Sequence, residues 1–259
     1  MTNTNPQITD NQRVAIVISQ PMLFPWVGMF EQLKLADIFV YYDDVQFSKG
    51  SFTNRVQIKT LTGIKWLTVP LKGLRLGQKI NEVQVTYKKD WINNHIQFLM
   101  QTYKSSPFKD DVYDLVSTAY NFRDSTIDKI SMRSMDVISE YFGILDCPSN
   151  IYKSSSLNIK GKGTQRVLDI VKYFNADRYI TGLGASKYLD HVLFEKNNIT
   201  VEYMDYRCTP YPQLHGTFTP YVSILDLIAN CGKDGRRYIS SGTIDWRTFI
   251  KDPEKTRNK

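Results

Sequence analysis

Three short stretches place residues suited to chemistry directly after apolar runs. Gln20-Pro21 follows "VAIVIS", Asp43-Asp44 and Gln46 follow "IFVYY", and Thr181-Gly182-Leu183-Gly184-Ala185-Ser186 follows "DRYI". In open parallel sheets ligands sit beyond the carboxyl ends of the strands. Three polar or permissive strand ends in one chain therefore point to a shared pocket. Any one of them alone reads equally well as a turn with capping residues.

The carboxylates of Asp43 and Asp44 suit a metal ligand, an acceptor for a sugar hydroxyl, or a general base. Neighbours in a strand point to opposite faces, so one of the two faces a given ligand. Gln46 and Arg55 are polar candidates nearby, and an arginine can hold a phosphate or carboxylate bidentately. The loop "KGKGTQR", residues 160–166, opens a helix. Lys160, Lys162 and the first helical N–H groups would make an anion seat there, although the Walker A spacing is absent and a plain linker explains the loop as well. Gly28 lies one turn into a helix, where glycine is unfavourable by roughly 1 kcal/mol. Close approach of a ligand or tight packing would each account for it. His95 is the best general base by residue type, yet it sits on an apolar helix face with Trp91 and Leu99, the pattern of a core histidine. His95, His191 and His215 lack zinc spacing, so no metal site is expected. Nothing resembles a covalent-nucleophile motif.

The elements that must position these residues follow from hydrophobic period. Residues 14–18 and 38–42 read as buried parallel strands flanking a helix over 26–36, a β-α-β unit. Residues 52–87 read as a small β insertion, with turn residues between short runs. Residues 91–142 read as three helices, with Gly143 as a helix C-terminal cap. A helix over 164–175, a strand in "DRYITG", a helix over 186–197, a strand over 199–204 and a helix from Ser223 restore the α/β rhythm. The expected organisation is one α/β domain over 14–250. Its sheet is central and mostly parallel, with the β insertion and the helical segment attached. A disordered tail over 1–13 and a charged tail over 251–259 flank it.

With 259 residues and 42% hydrophobic content, the chain can bury a substantial core. The formal charge is +7 and the pI about 9.1, which favours anionic partners. No zinc finger, RNA-binding signature or basic repeat supports nucleic acid as that partner. The polar N-terminus lacks the apolar core of a signal peptide, and no apolar run approaches the roughly 18 residues of a spanning helix. The expectation is a cytoplasmic protein with no membrane partner. Cys147, Cys208 and Cys231 are sparse and odd in number, as structural thiols in a reducing compartment are.

"QPMLFPWVGMF", "DIFVYYDDVQF", "TNRVQIKT" and "WLTVPL", followed in order by "WINNH", "YKSSPF", "YITGLGASKYL" and "NITVEYMDY", resemble the WbqC-like family over roughly residues 14–232. The resemblance implies an enzyme of surface-polysaccharide (O-antigen) biosynthesis. Such an enzyme would transfer an acyl or aminoacyl group to the amine of a nucleotide-linked amino sugar. Acyl-CoA, acyl carrier protein or ATP would stand on the donor side. The family pattern falls on Gln20, Pro21, Pro25, Gly28, Asp43, Asp44, Gln46, Asn54, Arg55, His95, Gly182, Tyr188, Gln213 and Asp226. In that setting His95 or an aspartate at 43 or 44 would be the base. Arg55, Lys160 and Lys162 would hold the diphosphate, Trp26, Tyr188 and Tyr211 would stack on base or sugar, and Ser186 belongs to the glycine loop. A second likeness is to the nucleotidyltransferases that include pantothenate synthetase. There H-x-G-H opens the helix, whereas this chain has Trp26-Val27-Gly28-Met29. It implies the alternative of an ATP-dependent amide ligase. A non-catalytic protein that binds a sugar or nucleotide is the third reading.

Overall fold

A computed structural model describes residues 13–144 and 150–252. Cys147 and the terminal tails over 1–12 and 253–259 lie outside the described residues.

Short runs of β-branched residues form the sheet. β1 (Ala15–Ser19) and β2 (Ile38–Tyr41) are buried on both faces, as strands covered by helices on each side must be. α1 (Val27–Lys34) connects them. Pro25 stands just before Trp26, the residue that caps α1, so the helix starts one residue later than periodicity predicts. The insertion follows. β3 (Arg55–Thr60) and β4 (Gly63–Thr68) form an antiparallel hairpin, and β5 (Leu71–Lys72) pairs with β6 (Gln84–Val85). Then come α2 (Trp91–Thr102), α3 (Lys109–Tyr120) and α4 (Ile127–Phe142). Gly143 takes the left-handed conformation at φ 56° that ends α4.

β7 (Ile151–Lys153), α5 (Gly163–Tyr173), β8 (Arg178–Thr181), α6 (His191–Glu195) and β9 (Thr200–Asp205) complete the parallel part. α7 (Ile224–Cys231), β10 (Gly242–Asp245) and α8 (Trp246–Lys251) follow. Three elements were not legible from period: β7 has three residues, β10 four, and α8 six. The helix expected over 186–197 is shorter, because residues 183–187 form a separate 3-10 turn.

The sheet order is β10-β9-β8-β1-β2-β7, with every pair parallel except β10 on β9. Counted as sheet strands in chain order, this is 3-2-1-4-5-6, the doubly wound arrangement with its switch point between β1 and β8. Alternate residues of each strand feed two cores. Ala15, Val17 and Phe39 face α1, α4 and α7, whereas Ile16, Ile38 and Val40 face α5 and α6. Val56, Ile58, Leu67 and Val69 of the insertion join the first core rather than building one of their own. No helix among the described residues is long and apolar enough to cross a membrane.

Candidate functional site

A cleft of about 1530 Å³ opens at the switch point, beyond the carboxyl ends of β1, β2, β8 and β9. Its position is a consequence of topology. The crossovers after β1 and β8 leave on opposite faces of the sheet, so their first loops diverge and cannot fill the gap between them.

The β1 loop forms one wall. Phe24 is held at φ 37°, an unusual value for a non-glycine residue. Its N–H donates to Ser134 Oγ at 2.9 Å, and its carbonyl accepts Ser223 Oγ at 2.8 Å. That clamp delivers Gln20 and Trp26 to the cleft. The Trp26 indole packs against Tyr206 (4.8 Å between centroids) and Tyr221 (5.2 Å), both of which line the cleft.

The opposite wall is charged. Asp44 Oδ2 accepts from Arg166 at 2.5 Å, and Oδ1 accepts Ser154 Oγ at 2.6 Å. Burial alone would raise the Asp44 pKa. The hydrogen bonds from Arg166 and Ser154 and the guanidinium charge outweigh it and hold the carboxyl below its usual range. Arg166, in the first turn of α5, also donates to the Ile159 carbonyl and lies over the Tyr42 ring at 5.1 Å. Gly161, Lys162 and Gly163 line the cleft where α5 begins, and no side chain caps that helix. Its first N–H groups are therefore left for solvent or an anion. Gly182 and Tyr188 from the β8 loop, Gln46, and Lys79 from the insertion complete the rim.

Of the residues singled out by sequence, the cleft brings together Gln20, Pro25, Trp26, Asp44, Gln46, Lys162, the 181–185 stretch with Gly182, and Tyr188. The others lie elsewhere for identifiable reasons. Asp43 is 1% exposed, and its carboxylate accepts from Ser155 N and Ser155 Oγ, with Ser154 Oγ lying 3.0 Å away and shared with Asp44. It anchors the turn rather than facing a ligand. The Asn54 amide donates to the Val69 carbonyl, and the Arg55 guanidinium donates to the Gly50 carbonyl and lies over Trp66. Ser186 closes its own turn on the Leu183 carbonyl. Lys160 is exposed outside the cleft. Gly28 and Tyr211 adjoin a cavity of about 10 Å³ behind Trp26, with room for one water at most.

Gln213 and Asp226 belong to a buried polar cluster beneath α7. There Lys59 Nζ donates to Gln213 Oε1 at 2.6 Å, and Gln213 Nε2 donates to Tyr211 Oη at 3.1 Å. Burial pushes the Asp226 carboxyl up to about 7, against the lowering influence of Tyr211, Lys59 and Gln213.

His95 packs between Trp91 and Tyr120. Its Nδ1 meets Tyr120 Oη at 3.2 Å and its Nε2 meets the Thr68 carbonyl at 3.1 Å. With both nitrogens engaged and no face on the cleft, it is not placed to take a proton from a bound substrate. Burial lowers its pKa to about 4, outweighing the Thr68 hydrogen bond that favours the cation. Between pH 6.5 and 4 the unfolded chain therefore binds a proton that the fold refuses. The stabilisation is complete above pH 6.5 and is lost as pH falls towards 4, by roughly 3 kcal/mol in total. Unfolding of His95→Gln, followed in urea across this range, should show a correspondingly flatter pH dependence than wild type.

Arg166, Tyr42, Tyr206, Tyr221 and the Ser154-Ser155 pair were not anticipated. Arg166 had a signal, lying three residues after the second glycine of "KGKG". The serines had none, because a three-residue strand leaves no period to read. Among the described residues no group of His, Cys, Asp and Glu could hold a metal ion.

Fold and cleft together define a doubly wound α/β protein with an open cleft at its strand-end switch point. The WbqC-like protein family model matches residues 20–238, and the chain belongs to that family. It is 32% identical over 232 residues to the uncharacterized protein Rv1507c of Mycobacterium tuberculosis, covering 88% of this chain and 97% of the relative. No solved structure gives a significant match.

Proposed function

We propose that the protein is a transferase that acylates or aminoacylates the amine of a nucleotide-linked amino sugar. The observation that carries this reading is the cleft itself. At about 1530 Å³ it exceeds the roughly 300–1,000 Å³ of a site for one small ligand, so two substrates fit side by side. The uncapped start of α5, with Lys162 and its flanking glycines, suits the diphosphate. Tyr42 and Tyr188 adjoin it for a base or sugar face. Asp44, ionised at neutral pH, suits a sugar hydroxyl or the amine. The Trp26, Tyr206 and Tyr221 wall suits the acyl side.

In the transfer, the neutral amine nitrogen attacks the activated carbonyl, the C–N bond forms as the bond to the donor's leaving group breaks, and the amine proton passes to that departing group or to water in the cleft. The depressed Asp44 carboxyl is a weak base, so its part is to orient and stabilise the ammonium-like nitrogen rather than to carry the proton away. Most of the acceleration would then come from juxtaposing the substrates.

Thermal unfolding with UDP- and TDP-linked amino sugars, bare nucleotides, ATP and acyl-CoA tests the assignment. A nucleotide-linked amino sugar at about 100 times its dissociation constant should stabilise by roughly 2.7 kcal/mol, more than bare nucleotide does. Lys162→Ala should weaken that binding about tenfold, a difference of about 1.4 kcal/mol. Stabilisation by ATP alone, with AMP released on addition of a carboxylate, would replace this reading with the ligase. Binding without turnover of any donor would leave a sugar-binding protein.

A further inference from the structure

We propose that the β3–β4 hairpin and the adjoining 72–79 loop dock the protein peripherally on an anionic lipid bilayer, beside the cleft mouth. The inference does not rest on the activity proposed above.

Charge comes first. Residues 45–81 contain Lys49, Arg55, Lys59, Lys65, Lys72, Arg75 and Lys79 and no Asp or Glu. Those seven charges equal the net charge of the whole chain, +7, so the remainder is balanced. Only Lys59 is buried, tied to Gln213. The basic excess of the sequence thus falls on residues 45–81, six of the seven cations lying in the insertion.

That segment also exposes its apolar side chains. Leu76 is 99% exposed and Leu61 83%, and Phe52, Ile64, Trp66 and Leu74 are each more than a third exposed. On the hairpin they are contiguous. Phe52 and Trp66 lie 5.7 Å apart, and Ile64 shares the Trp66 face two residues along β4. Leu61 occupies the turn beyond Ile64, and Arg55 lies over Trp66 at 4.1 Å. The 72–79 loop turns with Gly73 and Gly77 at positive φ, and it lifts Leu76 clear of the fold while leaving Leu74 just over a third exposed. Phe52, Gly77 and Lys79 reach the cleft rim, so hairpin and loop flank the same opening.

Isolated exposed apolar residues need no explanation, but a clustered set does. A protein partner would favour a flat or concave apolar centre with a polar rim. Here aliphatic side chains protrude from turns, half-exposed aromatics sit behind them, and lysines and arginines surround both. Aliphatic tips enter the acyl boundary, Trp sits at headgroup depth, and cations meet anionic headgroups. With no spanning helix among the described residues, contact of this kind is peripheral.

The test is co-sedimentation of the full chain with vesicles of phosphatidylcholine alone or mixed with phosphatidylglycerol. Binding should be at least tenfold stronger to the mixed vesicles and should fall steeply with added salt. Leu61→Glu/Leu76→Glu should reduce it at least tenfold while leaving the unfolding midpoint unchanged, because both side chains are already in water. Three results would overturn the proposal. One is failure to bind phosphatidylglycerol vesicles. Another is vesicle binding that the double variant retains. The third is a dimer in light scattering that this variant dissociates, which would assign the surface to a second copy of the chain.

Discussion

Asp44→Ala is expected to lower the unfolding free energy by roughly 2 kcal/mol and to weaken any ligand of the cleft's charged wall. The reason is what the substitution leaves behind. The Asp44 and Arg166 side chains are 15% and 7% exposed and meet at 2.5 Å. Removing one member leaves the other charge only partly hydrated at the cleft wall; breaking a fully buried pair destabilises by about 3–5 kcal/mol, and breaking an exposed one by about 1 kcal/mol or less. An intermediate loss applies because the pair faces the cleft and Arg166 keeps the Ile159 carbonyl and the Tyr42 ring. Arg166→Met in the Asp44→Ala background should recover most of the loss, since the stranded charge is then gone. Urea midpoints of the four proteins in this cycle measure the coupling. A double variant as unstable as the sum of the singles would mean that the ion pair does not organise the wall.

The pH dependence gives a second handle on the same pair. A carboxyl held below its unfolded value stabilises fully above the ordinary carboxylate range. That stabilisation is lost as pH falls below about 3.8, the ordinary value, towards the depressed folded one. Asp44→Ala should therefore differ most from wild type at neutral pH and converge with it in acid. His95 acts in a separate window, between pH 6.5 and 4, so the two contributions can be distinguished in one titration.

Two of the strand ends were readable because they follow uninterrupted apolar runs, and the third because Tyr179 and Ile180 run into a glycine loop. β1, β2 and β8 announce themselves as buried strands, and the residues after them had to lie on one edge of the sheet. Which side chain of a pair faces the ligand was not readable. Asp43 and Asp44 are equivalent in sequence. The choice between them is made by Ser154 and Ser155, more than a hundred residues away at the end of a strand too short to show a period. The same limit misplaced His95, Asn54 and Arg55 relative to the cleft. Their polar groups are satisfied by the Thr68, Val69 and Gly50 carbonyls within the insertion itself. A local hydrogen-bond partner of this sort depends on the geometry of the hairpin, which residue type does not encode. The aromatic wall failed to show for a related reason. Trp26, Tyr206 and Tyr221 come from three separate loops, and only the switch point of the sheet assembles them.

Gly28→Ala should destabilise the protein, although alanine is the better helix former, and should disrupt the aromatic wall of the cleft. A Cβ placed on Gly28 falls within the Trp26 indole, against Cη2, Cζ2 and Cζ3. Either the ring or α1 must move, and overpacking of this kind costs about 1–3 kcal/mol. It exceeds the gain in helix propensity, about 1 kcal/mol. A displaced ring also gives up its contacts with Tyr206 and Tyr221, so ligands that use this wall should bind more weakly. The decisive comparison is made in a Trp26→Ala background. With the indole removed, Gly28→Ala should change sign and stabilise by up to about 1 kcal/mol. Were it still destabilising there, the need for glycine would lie in the backbone of α1 or in its approach to a ligand. If the sign does invert, glycine is present at this position so that a tryptophan can lie flat over the first turn of the helix. On that account Gly28 serves the cleft through Trp26, without touching anything bound there.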